Sequence, residues 1–442
     1  MKTIKISLVA AAAITLFGCG SDSNDSTPSS QLRVTHASAD APKVSILMDG
    51  AIVSGLDKVD YSQGSGLLTV DSGDHDLIVR GLLAGDATAD VITANAVNLA
   101  PDMQYDVFAV NNVTAIEPVI LSRSSMGPDA SSIRLDVLHA HPAVGGVDIH
   151  VTTDASISSG TVAISDLTFK EDDANLPVTL PAGTYRIRIT LAGQSTDADV
   201  VFDSGELALD GGSDLMVTAV PNVSGGIVSP VNLLVADGTS VSVVRSSGEK
   251  ATVRVGHAVN GAPNVDVLVG GTVVPGLGNI AYETIASTDV AAATYNLDVV
   301  ATSTTGPAVL SAPNTEFTPG SETTIFAVGT AGSIEALPIV EDLRSVATYA
   351  KLRVVHANPV AGLVDIHATP AGAGFSADTV VLAGVDFKDS AVLNVDAGTY
   401  DFAVAAAGTT NVLLSASNVT LAGGNVATAF ATENSIALNV DK

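Results

Sequence analysis

Leu32-Arg-Val-Thr-His36, Leu135-Asp-Val-Leu-His139, Val253-Arg-Val-Gly-His257 and Leu352-Arg-Val-Val-His356 are four versions of one short run. Alternation of period two places Leu32, Val34 and His36 on one face of an extended chain, and the same holds in every copy. A loop containing Pro or Gly follows each run. A second strand then begins: Val44-Ser-Ile-Leu47, Val147-Asp-Ile-His150, Val265-Asp-Val-Leu268 and Val364-Asp-Ile-His367. Ser45, Asp148, Asp266 and Asp365 hold the same place in these strands.

Further along, Ala182-Gly-Thr-Tyr185, Ala292-Ala-Thr-Tyr295 and Ala397-Gly-Thr-Tyr400 mark a turn that enters another alternating strand; the first copy has Ser72-Gly-Asp-His75 there. Later strands recur at Tyr105 to Val110, Leu215 to Val220, Thr324 to Val328 and Val426 to Ala431, each after turn residues such as Pro101-Asp102 or Gly211-Gly212. Short strands at this density, with no convincing helix, predict an all-β fold of four tandem immunoglobulin-like β-sandwich domains, with an up-and-down barrel as the alternative. The units run over 32–125, 132–245, 251–346 and 351–442. The spacing from His36, His139, His257 and His356 to the Tyr position is 39, 46, 38 and 44 residues. Units one and three are therefore short, and units two and four carry an insertion around Asp166–Lys170 and Asp386–Lys388. Linkers as short as Ser246–Lys250 predict units that touch their neighbours.

The N-terminus has its own logic. Met1-Lys-Thr-Ile-Lys5 is positive, and the apolar run Ile6 to Phe17 is too short to span a bilayer. It ends in Gly18-Cys19, which resembles a bacterial lipoprotein signal over 1–18 with Cys19 as the lipidated residue. Residues 19–31, rich in Ser and Asp, read as a flexible tether. Gly20 after the cysteine resembles lipoproteins sent to the outer membrane. The expected address is the cell envelope, periplasmic or surface-exposed, with the membrane as partner through a lipid anchor. Acylation of Cys19 leaves the mature chain no cysteine for a disulfide, so packed strands must hold it together. A net charge of −28 disfavours nucleic acid, whose binding depends on Lys and Arg neutralising phosphates.

The run hydrophobic-Arg-Val-x-His-Ala, then Val-Asp-hydrophobic, then Ala-Gly-Thr-Tyr resembles DUF4397, a bacterial surface family catalogued as a domain of unknown function. Matching segments occur in all four units, with departures at Ser45, His75 and Ala293. The resemblance implies an exported, repeated β-sandwich and brings no ligand or catalytic residue with it.

The repeated histidines sit at strand ends on the apolar face, where an imidazole can bond loop backbone while its ring packs, and they are expected to be structural. Asp148, Asp266 and Asp365 complete the motif. His139, His141 and His150, or His356 and His367, with Asp148 or Asp365 could in principle ligate zinc. Strand parity argues against it, pointing Asp148 and His150 outward to solvent while His139 points in. The acidic stretches Asp71–Asp76, Glu171–Asp173 and Asp210–Asp214 lack the EF-hand pattern and read as turns, leaving calcium as the alternative. Tyr185, Tyr295 and Tyr400 are expected to pack inward and bond a nearby turn, as in a tyrosine corner, with His75 filling that role in unit one. No Gly-x-Ser-x-Gly, His-Glu-x-x-His, phosphate-loop or dinucleotide motif is present. The expected function is a non-catalytic, lipid-anchored envelope protein with a structural or adhesion-like role toward a protein or polysaccharide, needing no cofactor. The alternative is a glycan- or solute-binding lipoprotein with sites between paired units.

Overall fold

The computed structural model describes residues 28–442 except 155, 159–162, 172–175 and 303–306. The signal, Cys19 and residues 20–27 of the tether lie outside the described residues, as do Asp172 and Asp173.

Unit one shows how the alternating runs become paired sheets. Its strands are β1 Ser29–His36, β2 Val44–Met48, β3 Ala51–Ile52, β4 Leu68–Asp71, β5 Gly73–Leu82, β6 Thr88–Leu99, β7 Met103–Val110 and β8 Glu117–Ser124. They form two sheets of order β4-β1-β7-β8 and β3-β2-β5-β6. The inward residues of both sheets, among them Leu32, Val34, Ile46, Leu77, Val79 and Val107, make one core. Three further stretches give three further pairs of sheets, each with its own core. In every unit the leading strand runs parallel to a late one: β1 with β7, Ser132–His139 with Asp214–Pro221, Lys250–His257 with Glu322–Thr330, and Ala350–His356 with Val426–Ala431. Because β1 lies between β4 and β7, both edges of its backbone are hydrogen-bonded.

Alternation along the leading strand separates two buried faces, not core from solvent. Leu32 and Val34 face the unit's own core, while Arg33 and Thr35 on the other face are also buried. The cover is the neighbouring unit. Phe108, Val110 and Leu121 of unit one pack with Leu138, Met216, Val220 and Leu234 of unit two. Phe326 and Val328 of unit three pack with Val355 and Phe430 of unit four, the two rings 5.1 Å apart. The chain is thus two back-to-back pairs. Gly256 permits the second contact, since a Cβ there would come within 2.3 Å of the Phe326 ring.

The motif arginines belong to these interfaces. Arg33 Nε donates to Asp106 at 2.5 Å and its Nη1 to Ala236 O across the interface at 3.1 Å. Arg123 of unit one reaches Asp136 of unit two at 2.7 Å. In the second pair Arg254 joins Asp441 at 2.5 Å, and Arg353 joins Glu341 at 2.8 Å. Charges withdrawn from water this far are tolerated only in pairs.

Two expectations need correction. The tether ends sooner than residue 31, because β1 begins at Ser29. Ser30 is buried and its hydroxyl donates to Ala100 O at 2.8 Å. Asp148 and His150, expected in solvent, are 6% and 2% exposed, and His367 is fully buried. The insertion in units two and four contributes, although Ser45, in the same place of unit one, is 3% exposed without it. It adds the edge strands Ile164–Leu167 and Val380–Val385, and folds chain over the outer face that alternation alone would leave wet.

Candidate functional site

His36, His139, His257 and His356 end their strands in one repeated geometry. In each, Nε2 donates to the carbonyl six residues on: Pro42 at 3.0 Å, Gly145 at 3.0 Å, Pro263 at 3.0 Å and Gly362 at 2.9 Å. In each, Nδ1 accepts the backbone N–H two residues on, from Ser38, His141, Val259 and Asn358, at 3.2–3.3 Å. A ring that donates at one nitrogen and accepts at the other is neutral. Burial keeps it so, depressing His139 and His257 below the ordinary imidazole range and His36 to about 4.

The sequence reading missed a third component. Each imidazole meets an aromatic ring edge-on: Tyr61, Phe169, Tyr282 and Phe387, with centroids 6.0–6.4 Å apart. The next residue in each case (Ser62, Lys170, Glu283, Lys388) has positive φ and donates its N–H to the histidine's own carbonyl. The signal was present as an aromatic at the second position of a four-residue turn. Its distance from the histidine varies with the insertion, which hid it. The clasp ties strand end, following loop and a remote turn together.

The motif aspartates tie other loops. Asp148 accepts the N–H groups of Asp166 and Gly193, both at 2.8 Å, and Asp365 those of Gly384 and Gly408, both at 2.7 Å. All four donors have positive φ. Asp266 accepts from Asn279 N at 2.6 Å and Thr302 Oγ1 at 2.9 Å, while Ser45 donates to Asp57 at 2.6 Å. Amide donors hold the Asp365 carboxyl below the usual carboxylate range.

Tyr185, Tyr295 and Tyr400 pack beside their cores, and each hydroxyl donates to the carbonyl four residues back: Pro181 at 2.8 Å, Ala291 at 2.8 Å and Asp396 at 3.0 Å. His75 makes the equivalent bond to Asp71 O at 2.9 Å and also meets Asp49 at 2.7 Å, whose carboxylate raises its pKa.

These residues are not brought together into one reactive centre. His150 Nε2 meets Thr190 at 3.2 Å, and His367 Nδ1 meets Thr379 at 2.9 Å, each away from the clasp histidine of its unit. Among the described residues, no three His, Cys, Asp or Glu side chains converge as metal ligands. In the acidic stretches, Asp74 accepts from Asn98 at 2.7 Å, Asp76 from Ala96 N at 2.9 Å, and Asp214 pairs with Arg134 at 2.5 Å. The faces shared by paired units hold the apolar contacts and ion pairs described above, and a cavity of about 210 Å³ lies between Leu67 of unit one and Leu209, Asp210, Leu215 and Asp237 of unit two.

Among solved structures, the chain is similar to the Bacillus anthracis TIE protein at 11% identity and a TM-score of 0.15, covering 92% of this chain and 69% of that one. It is also similar to the multi-modular glycogen-degrading pneumococcal virulence factor SpuA, at 11% identity and a TM-score of 0.16, covering 88% and 38%. No curated protein matches the chain. The family model of a domain of unknown function, DUF4397, matches residues 30–150 and 251–367. With more than half its length matched in two regions, the chain belongs to the DUF4397 family.

Proposed function

We propose that this protein is a non-catalytic component of the cell envelope, held to a membrane by a lipid on Cys19, with a structural or adhesion-like role. Its partner is an envelope protein or polysaccharide met through exposed loops and sheet surfaces. The observation that carries this reading is the use of the chain's repeated polar residues. All four motif histidines are engaged at both nitrogens with backbone, so the side chains that could act as bases or ligands hold loops instead. The Ile6–Phe17 run and Gly18-Cys19 support the anchor, and two or three acyl chains at about 0.8 kcal/mol per buried methylene hold a protein persistently.

Two measurements test the proposal. Palmitate labelling in a bacterial host should mark the chain and be lost in Cys19→Ala, with the protein leaving the membrane fraction. Unchanged membrane association of that variant would remove the anchor. A glycan and envelope-protein binding screen of residues 28–442, with and without calcium, should find a partner without turnover. Robust turnover of any substrate would overturn the non-catalytic reading.

A further inference from the structure

Where the two pairs of units meet, a cavity of about 250 Å³ opens between the Asp60–Gln63 turn of unit one, the end of unit two, and the Gly320 turn and exit linker of unit three. Its walls carry Asp60, Glu322, Glu341, Asp342, Arg245 and Arg344. The carboxylates have partners. Asp60 meets Arg344 at 2.5 Å, Glu341 meets Arg353 at 2.8 Å, Asp342 meets Lys351 at 2.5 Å, and Glu322 accepts Leu343 N at 2.6 Å. Arg344 is likewise engaged, donating also to Ala39 O and Ala41 O at 3.0 and 2.8 Å.

Arg245 stands apart. Among the described residues it has no hydrogen bond and no ion pair, and its Nε is buried without a partner. The carboxylate that acts on it, Glu249, gives its oxygens to Asn222 Nδ2, Val228 N and Ser229 N. Gly320 makes room for the guanidinium, since a Cβ there would lie 2.0 Å from Arg245 Nε. On the same wall, Asn232 is 5% exposed, and its Oδ1 is buried without a donor while its Nδ2 is bonded to Asn222 at 3.0 Å. A half-buried guanidinium without an anion and a buried amide oxygen without a donor are both unfavourable arrangements when empty.

We propose that this junction cavity binds a small hydroxylated carboxylate of the sugar-acid class, its carboxylate on Arg245 and a hydroxyl donating to Asn232 Oδ1. Guanidinium and carboxylate match in a planar, two-bond geometry that a neutral sugar cannot supply. The surrounding acidic side chains oppose a doubly charged phosphate more than a single carboxylate, and they accept from further hydroxyls. The volume suits a molecule on the order of ten non-hydrogen atoms. This site lies between the pairs of units and stands independently of the envelope role.

Calorimetric titration of the full chain with D-glucuronate, D-glucose and inorganic phosphate tests it. Glucuronate should bind one to one, with glucose and phosphate at least tenfold weaker. Arg245→Met should weaken glucuronate at least tenfold while leaving the melting temperature unchanged or higher, because an unpaired cation is removed. Arg245→Lys, which keeps the charge but loses the fork, should fall between the two and serves if the Met variant misfolds. Absence of glucuronate binding at millimolar concentration, equal binding by Arg245→Met, or preference for phosphate or glucose would each overturn the assignment.

Discussion

Replacing His36 with Ala removes two buried hydrogen bonds, to Pro42 O and from Ser38 N, and an edge-on contact with Tyr61 at 6.3 Å. At roughly 1 kcal/mol for each bond and about 0.5–1 kcal/mol for the ring pair, unit one should lose about 3 kcal/mol at pH 7.5. The pH dependence gives the sharper test. Burial lowers the His36 pKa from 6.5 to about 4. Below pH 6.5 the unfolded chain therefore takes up a proton that the folded ring refuses, and wild-type stability falls as pH falls. The slope is roughly 1.4 kcal/mol per pH unit and ends near pH 4, where the folded ring protonates too, for a total of about 3 kcal/mol. The variant lacks this titration and shares every other one. The stability gap between the two proteins should therefore close from about 3 kcal/mol at pH 7.5 to near zero at pH 4. Urea unfolding at pH 7.5, 5.5 and 4.5, followed by circular dichroism and tyrosine fluorescence, measures it. A gap that stays constant, or widens in acid, would refute the neutral, buried clasp.

Gly256→Ala should destabilise units three and four by about 1–3 kcal/mol in thermal unfolding, because its Cβ would meet Phe326 at 2.3 Å; an unchanged melting temperature would show that the interface yields. Asp365→Ala leaves the Gly384 and Gly408 amides without their acceptor and should cost about 2–4 kcal/mol, with faster hydrogen exchange at both glycines. Its carboxyl is held below its ordinary 3.8, so this contribution is present above that pH and is lost as pH falls further. Tyr400→Phe removes only the 3.0 Å bond to Asp396 O and should cost under about 1 kcal/mol by the same unfolding measurement.

The strands were legible because their side chains alternate. Leu32, Val34 and Val107 reach one core as period two requires, and Tyr185 with Ile187 and Ile189 reach another. The tyrosine bond was legible for a similar reason, since its acceptor lies only four residues away. The aromatic partner of each histidine was not, because Phe169 and Phe387 sit within the insertion, 30 and 31 residues after their histidines, where Tyr61 and Tyr282 follow at 25. The burial of Asp148 and His150 was hidden in part by the same insertion, which covers a face that local alternation marks as exposed.

Sequence alone determined the repeat, the all-β class and the placement of His, Asp and Tyr at strand and turn positions, because these follow from interactions within a few residues or from strict period two. Tertiary structure decided what the opposite faces do. Arg33 and Arg254 look like solvent-facing residues of half-buried strands, yet both are 1% exposed, Arg33 donating to the Ala236 carbonyl and Arg254 pairing with Asp441 across the backs of neighbouring units. Contacts between residues more than a hundred positions apart set that burial. A pattern that repeats every two residues carries no information about which surface a second domain will cover.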